Sequence, residues 1–229
     1  PVALLGATFA VDRAADRLRI ARILAGDNHE DRYRSPLTEI GVDVKAGEYL
    51  LAIDGVELTA HSDPYQLLRN KAGHPLTLTV GATPERAAGR KVSVNPLDSE
   101  LELFYFDFVA GRRALVEQLS GGRLGYLHIP DMGADGIREF IKWYYGQIDK
   151  EGLVIDDRNN GGGNVSQMIL ERLGRKLTGT EYARHDQLTD TYPDVVFAGP
   201  MVCLLNENSA SDGDIFPWMF RERGLGPLI

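Results

Sequence analysis

Long apolar runs, basic clusters and cysteine pairs are all missing from this sequence of 229 residues. No segment approaches the roughly 20 consecutive apolar residues of a membrane-spanning helix, so no membrane partner is expected. Lys and Arg number 25 against 33 Asp and Glu, and no basic run suited to phosphates occurs, so nucleic acid is not expected either. The single cysteine, Cys203, excludes an internal disulfide and fits a reducing compartment, which predicts a cytoplasmic location.

Nucleotide-binding motifs are also missing from the one glycine-rich turn, at residues 156–164. This turn joins a predicted strand to a predicted helix, and its three glycines expose backbone N–H groups to a ligand. It lacks the Lys-Ser/Thr ending of a P-loop and the Gly-x-Gly-x-x-Gly spacing of a dinucleotide fold. Half of an oxyanion hole therefore explains the glycines better than a phosphate cradle does. We expect neither a cofactor nor a metal ion.

An ordinary composition is what remains. Hydrophobic residues make up 43% and charged residues 25% of the chain, as in soluble globular proteins with one or two cores. The sequence opens on Pro1 and stops at Ile229, where another strand begins, so we interpret it as a fragment of a longer protein.

The first hundred residues alternate short strands with turn signals. An Asp54-Gly55 turn follows an apolar strand and predicts a hairpin, and Asp63-Pro64 predicts a helix start. The expected elements are strands at Val2–Leu5, Arg17–Ile23 and Leu76–Val80 and a helix ending near Gly73. This order of strand, turn and helix resembles a PDZ domain over about residues 1–97.

A PDZ domain binds extended peptide by adding a strand to a sheet edge. The resemblance makes Gly6, in the loop of residues 5–9, a candidate substrate-binding residue that receives a peptide carboxylate. A glycine that merely bends a strand is an equally good interpretation.

From residue 98 onward helices and strands alternate, which predicts a mainly parallel sheet. Ser99 and Glu102 form a capping-box pattern before a long amphipathic helix, and Asn164 is the expected cap of a later helix. Strands are expected at Leu124–Ile129 and Leu153–Asp156, with a helix over Asp135–Asp149 between them. The fold class is therefore a β-rich α+β domain over 1–97 followed by an α/β domain over 98–229.

A polar turn at residues 206–216 follows the apolar run of residues 201–205. Ser211 in this turn is placed to begin a helix, where unpaired N–H groups favour negative charge. Such a serine can be an N-cap or a nucleophile. This turn and the glycine-rich turn both join a strand to a helix in one predicted parallel sheet, so they are expected at the same sheet edge.

Three segments, residues 125–133, 157–164 and 206–217, resemble the catalytic core of the tricorn protease family, within the tail-processing serine peptidases. The resemblance implies a spiral β/α core of the ClpP/crotonase type, here truncated, peptide or polypeptide substrates, and homo-oligomers that form rings of six. It assigns Ser211 as the nucleophile, and the N–H groups of Asp212 and Gly163, beside Gly162, as the oxyanion hole. It also places Glu181, more loosely aligned, where an acidic residue favours basic side chains in the first substrate pocket.

The family's histidine base precedes its PDZ domain, and the supporting Glu lies beyond the equivalent of Ile229. None of the five histidines matches that base: His29, His61, His74, His128 and His185. His128 and Cys203 lie in apolar strands and are expected to be core residues. We therefore expect a serine endopeptidase whose fragment is inactive alone. A Ser-Lys tail-processing peptidase, disfavoured by the Asp-Gly-Asp after Ser211, and a non-catalytic peptide-binding module remain the alternatives.

Overall fold

The computed structural model describes residues 1–185 and 189–229. It divides into two compact units, residues 1–108 and residues 109–229. A 20-residue helix, Leu101–Ser120, begins in the first unit and ends in the second. The domain boundary at 97/98 stays a prediction.

The first unit is built on an antiparallel sheet. Its strands are β1 (Ala7–Asp12), β2 (Arg17–Ile23), β3 (Tyr49–Ile53), β4 (Val56–Glu57), β5 (Leu76–Gly81) and β6 (Arg90–Val94). They follow the order β1-β2-β3-β5-β6, with β4 paired to β3. The predicted Asp54-Gly55 hairpin is confirmed, and both turn residues take the positive φ angles that this kind of turn requires.

The short helix α1 (Pro64–Leu67) begins where the sequence predicts. The side chain of Asp63 accepts a hydrogen bond from the N–H of Tyr65 at 3.0 Å, and Pro64 fills the first helical position. The prediction that this helix continues to near Gly73 is wrong, because the chain leaves helical geometry at Leu68 and reaches a positive φ at Asn70.

Two further predictions in the first unit need correction. The predicted strand Val2–Leu5 forms only isolated bridges, from Val2 to Arg69 and from Leu4 to Leu97. The predicted loop of residues 5–9 becomes β1 from Ala7 onward, and only Gly6 before it has the positive φ of a turn.

The second unit is an α/β arrangement. After α2 (Leu101–Ser120), its elements are β7 (Leu124–His128), α3 (Ala134–Tyr145), β8 (Gly152–Asp156), α4 (Ser166–Leu173), β9 (Gly179–Tyr182), β10 (Thr189–Tyr192), β11 (Met201–Leu204) and α5 (Asp212–Glu222). Strands β11, β8 and β7 form a parallel sheet in that order, which confirms the predicted parallel pairing. The final residues bridge to β11 through Cys203 and Leu228. Strands β9 and β10 form a separate hairpin.

Apolar side chains from one face of the parallel sheet make the core of this unit together with helices α3, α4 and α5. Leu127, Ile155 and Cys203 on the three strands are fully buried, and Phe216 and Phe220 of α5 pack in the same cluster. In the described ranges, no helix is long and apolar enough to cross a bilayer.

The cap of α4 differs from the prediction. Asn164 does not cap this helix; its N–H donates to the carbonyl of Met132 at 2.7 Å. The carboxylate of Asp212 takes that place from another turn, accepting the N–H of Ser166 at 3.1 Å and its hydroxyl at 2.6 Å. A local sequence pattern cannot reveal a cap supplied from 46 residues away.

Candidate active site

Two turns meet at the carboxyl edge of the parallel sheet. The glycine-rich turn follows β8, and the serine turn follows β11. Leu204 at the end of β11 pairs with Asp156 at the end of β8, so both turns leave the sheet at the same level. The sequence prediction that they share one edge is confirmed.

Ser211 immediately precedes α5 and has an unusual backbone. Its φ is 56° and its ψ is −126°, which costs a residue with a side chain about 1–3 kcal/mol. Its side chain makes no capping hydrogen bond, although its carbonyl accepts the N–H of Asp214 at 3.0 Å. The residue is exposed. Ser211 therefore precedes the helix in an exposed position without using its hydroxyl to cap it.

Gly162 allows the two turns to touch. A Cβ atom at this position would lie 2.7 Å from the Cβ of Ser211 and 2.7 Å from the carbonyl oxygen of Ala210. Its φ of +88° is also unfavourable for any residue with a side chain. Glycine is thus required here for the backbone of one turn to approach the serine of the other.

Among the described residues, some backbone N–H groups at this junction are hydrogen-bonded and others are not. The N–H of Gly162 donates to the side-chain oxygen of Asn160 at 2.9 Å. Within residues 1–185 and 189–229, the N–H groups of Gly163 and Asp212 donate to no other group. These two are the donors that the resemblance assigned to the oxyanion hole, and both remain available to a ligand.

Asn160 fixes this junction, and the sequence analysis did not single it out. It is fully buried, and its amide nitrogen donates to the carbonyl of Ile129 at 3.1 Å and to Asp157 Oδ1 at 2.9 Å. Its side-chain oxygen accepts from Gly162, and its backbone carbonyl accepts from Ala210 at 3.0 Å. One residue therefore joins the ends of β7 and β8 to both turns. An Asn directly before a glycine run, where Asn often forms local turns, was the available signal.

Further hydrogen bonds hold the serine turn in place. Asn206 Oδ1 accepts the N–H of Asn159 at 2.9 Å, and Asn206 Nδ2 donates to Asn159 Oδ1 at 3.1 Å. The hydroxyl of Ser209 donates to the carbonyl of Asp157 at 2.9 Å. Because these bonds cross between segments about fifty residues apart, the position of Ser211 is set by the tertiary fold.

Two buried carboxyl groups at the start of the glycine-rich turn, those of Asp156 and Asp157, differ in charge. Burial raises the pKa of Asp157 to about 8, and its Oδ2 has no hydrogen-bond partner among the described residues. Burial also tends to raise the pKa of Asp156, but hydrogen bonds from Arg158 and Tyr126 outweigh this effect. The pKa of Asp156 is therefore lowered. At neutral pH, Asp157 is therefore protonated and Asp156 is ionised.

His128 and Cys203 both lie buried in strands of the parallel sheet. His128 is buried, its Nε2 lies 3.1 Å from the carbonyl oxygen of Arg158, and burial lowers its pKa. Cys203 is fully buried in β11, and burial raises the pKa of its thiol. Both are core residues, as predicted. Across the described parts of the chain, no imidazole hydrogen-bonds the hydroxyl of Ser211.

The remaining two predicted site residues lie elsewhere. Glu181 is exposed in the β9–β10 hairpin, where its Oε2 accepts the hydroxyl of Tyr192 at 2.9 Å. Gly6 belongs to the first unit, and its N–H donates to Glu100 Oε1 at 2.7 Å. Their roles in substrate binding stay predictions. No group of three or more His, Cys, Asp or Glu residues suited to a metal ion occurs in the described ranges.

Comparison with known proteins agrees with both halves of the fold. Residues 3–99 match the family model described as tricorn protease PDZ domain, and residues 123–229 match that of peptidase family S41. Tricorn protease homolog 1 of Streptomyces coelicolor is 40% identical over 92% of this chain. This chain belongs to the tricorn protease family. Its structure superposes on a crystal structure of the tricorn protease with a TM-score of 0.87, at 34% identity over 99% of the chain.

This tricorn-family chain spans only part of its relatives. It covers 20% of the Streptomyces homolog and 20% of the tricorn protease of Thermoplasma acidophilum, to which it is 36% identical. It likewise covers 22% of the superposed crystal structure.

Proposed function

We propose that the protein is a serine endopeptidase of the tricorn type, with Ser211 as the nucleophile. The observation that carries this proposal is the strained, exposed Ser211 packed against Gly162, with the N–H groups of Asp212 and Gly163 unbonded to any group in the described part of the chain. Strain at a residue with a side chain persists where the surroundings impose it, and such residues cluster at active sites.

In the proposed reaction, Ser211 Oγ attacks the carbonyl carbon of a peptide bond while a general base takes its proton. The N–H groups of Asp212 and Gly163 donate to the resulting oxyanion, and each such donor is worth about 3 kcal/mol. The proton then passes to the leaving amine, and an acyl-enzyme ester remains at Ser211. Water hydrolyses this ester by the same steps in reverse.

The side chain of Asp212 is compatible with this role of its backbone. Its carboxylate is bonded to the N–H and the hydroxyl of Ser166, at 3.1 and 2.6 Å. The carboxylate is thus engaged at the start of α4, while its own N–H stands in the first turn of α5, where the helix dipole favours an anion. The Asp212 carboxylate therefore does not occupy the Asp212 N–H, which stays available to the oxyanion.

We further propose that the general base, a histidine supported by a Glu, is supplied by a part of the protein other than residues 1–229. Two observations support this proposal: the hydroxyl of Ser211 has no hydrogen-bond partner among residues 1–185 and 189–229, and His128 is buried and bonded elsewhere. Peptides are the proposed substrates. A cytoplasmic location and assembly into rings remain predictions.

Covalent labelling tests the nucleophile. A fluorophosphonate probe is expected to modify Ser211 in the complete protein, and peptide mass mapping locates the adduct. Ser211→Ala abolishes the adduct, while Ser93→Ala, at an exposed serine of β6, retains it. Labelling that survives Ser211→Ala would refute the assignment.

The chain of residues 1–229 alone is expected to be essentially inactive. Loss of the base from a serine mechanism costs on the order of a millionfold in rate, while the oxyanion donors remain. A fluorogenic peptide assay comparing this chain with the complete protein measures the difference. Robust cleavage by the chain alone that disappears in Ser211→Ala would overturn the proposal of an external base and leave the nucleophile intact.

Glu181 is proposed to favour basic side chains in the first substrate pocket. In the complete protein, Glu181→Gln is expected to lower kcat/KM for peptides with Arg or Lys before the cleaved bond by about fivefold, the worth of one exposed ion pair. Peptides with Leu at that position serve as the reference. Glu171→Gln, at an exposed glutamate of α4, is the matched control. An equal change for basic and apolar peptides would exclude a charge-based role.

A further inference from the structure

Strand β1 leaves one edge of the first-unit sheet open. It is the first strand in the order β1-β2-β3-β5-β6, and among the described residues it pairs with no strand other than β2. Helix α1 lies beside it, with the ring of Tyr65 edge-on to the ring of Phe9 at a centroid distance of 6.3 Å. An open strand edge beside a helix is a surface to which an extended peptide can add as a further strand.

Two successive N–H groups converge on a carboxylate where β1 begins. The N–H of Gly6 donates to Glu100 Oε1 at 2.7 Å, and the N–H of Ala7 also donates to this carboxyl group. Gly6 has a φ of +69°, a conformation that turns consecutive N–H groups toward the same side. The pair forms a small anion-binding site, and Glu100 fills it.

Hydrogen bonds hold both the backbone and the side chain of Glu100. Its carbonyl accepts the N–H of Phe104 at 2.9 Å, which places the residue just before α2. Its side chain is half-buried, and burial raises its pKa although the bonds from Gly6 and Ala7 oppose that rise. Its charge also contributes, after burial, to raising the pKa of Tyr65. The carboxylate therefore lies close to the aromatic pair between β1 and α1.

We propose that Glu100 is an internal ligand that occupies the site where the α-carboxylate of a peptide added to β1 would bind. The Gly6 and Ala7 N–H groups cannot hold two carboxylates, so a peptide C terminus binds only when Glu100 leaves. This inference concerns the first unit and does not depend on the proposed peptidase function.

Because Glu100 belongs to the same chain as Gly6 and Ala7, it competes strongly with a free peptide for their N–H groups. A ligand tethered in the same chain acts at an effective concentration of millimolar or more. The space around the site is also tight, since a Cβ added at Gly6 would lie 3.1 Å from Leu103 and 3.3 Å from Ser35 Oγ. A free peptide must therefore displace the side chain and cannot bind beside it.

Fluorescence anisotropy with the 229-residue chain tests the proposal. The probe is a fluorescein-labelled hexapeptide of alternating Val and Ser with a free C-terminal carboxylate, and its twin ends in a carboxamide. Glu100→Ala is expected to bind the acid peptide at least about tenfold more tightly than the unaltered chain does, because the tethered competitor is gone. The carboxamide twin is expected to gain nothing.

Glu102→Ala is the matched control, since Glu102 lies two residues along the chain and pairs with Arg32 at 2.7 Å, whereas the N–H of Gly6 donates to Glu100. It is expected to bind as the unaltered chain does. Equal binding of the acid peptide to the unaltered chain and to Glu100→Ala, or equal gain for the carboxamide twin, would overturn the proposal. If Glu100→Ala does not fold, the amide proton shifts of Gly6 and Ala7 in Glu100→Gln replace it: upfield movement supports the proposal, and unchanged shifts overturn it.

Discussion

Replacing Ser211 by alanine in the complete protein is expected to lower kcat/KM for peptide hydrolysis by on the order of a millionfold. The hydroxyl supplies the atom that forms the acyl-enzyme, and no other exposed nucleophile lies at this junction of the two turns in the described residues. The oxyanion donors remain in the variant, so a residual rate above that of the uncatalysed reaction is expected. Steady-state kinetics with a fluorogenic peptide measures the loss, with Ser93→Ala as the control.

A second substitution at the same position separates chemistry from stability. Ser211→Gly is expected to be as inactive as Ser211→Ala but more stable by about 1 kcal/mol, because glycine adopts a positive φ without strain. Urea unfolding of both variants, followed by fluorescence, measures the difference. A Gly variant less stable than the Ala variant would mean that the backbone at Ser211 is not strained, and the main argument for its catalytic role would fail.

Those parts of the site that depend on short sequence patterns could be predicted from the sequence. The strand-turn-helix segments around Gly162 and Ser211, together with the expectation of a parallel sheet, were enough to place both turns at one edge. Each of these signals lies within about ten consecutive residues. The family resemblance then supplied the roles.

The parts that sequence reasoning missed depend on contacts between distant segments. Asn160 links its own turn to Ile129 and Ala210, Asp212 caps a helix 46 residues earlier, and Glu100 contacts Gly6 across 94 residues. Nothing adjacent to these residues indicates the partner. Hydrogen bonds to partners far away in the sequence set them apart, and these bonds become visible only in the folded chain.

The protonated state of Asp157 leads to a large effect on stability. An Asp in the unfolded chain has a pKa near 3.9, whereas burial raises that of Asp157 to about 8 in the fold. Between these values the folded state holds a proton that the unfolded state releases, so the free energy of unfolding falls as the pH rises. The loss is about 1.4 kcal/mol per pH unit and amounts to several kcal/mol by pH 8.

Asp157→Asn removes this dependence. The side-chain oxygen can still accept from Asn160, while the group no longer titrates. The stability of the variant relative to the unaltered chain is expected to increase by about 1.4 kcal/mol per unit between pH 5 and pH 7, and to level off above pH 8. Urea unfolding followed by tryptophan fluorescence measures this, since Trp143 and Trp218 both lie in the second unit.

Asp149→Asn, at an exposed carboxylate of the same unit, controls for the loss of one negative charge. A difference between Asp157→Asn and the unaltered chain that stays constant from pH 5 to pH 8 would mean that Asp157 is ionised in the fold. In that case a buried negative charge would lie beside Asn160, which joins the two turns, and would oppose the oxyanion that Gly163 and Asp212 are proposed to bind. The change with pH in the stability difference between Asp157→Asn and the unaltered chain therefore tests both the stability of this junction and its suitability for the proposed chemistry.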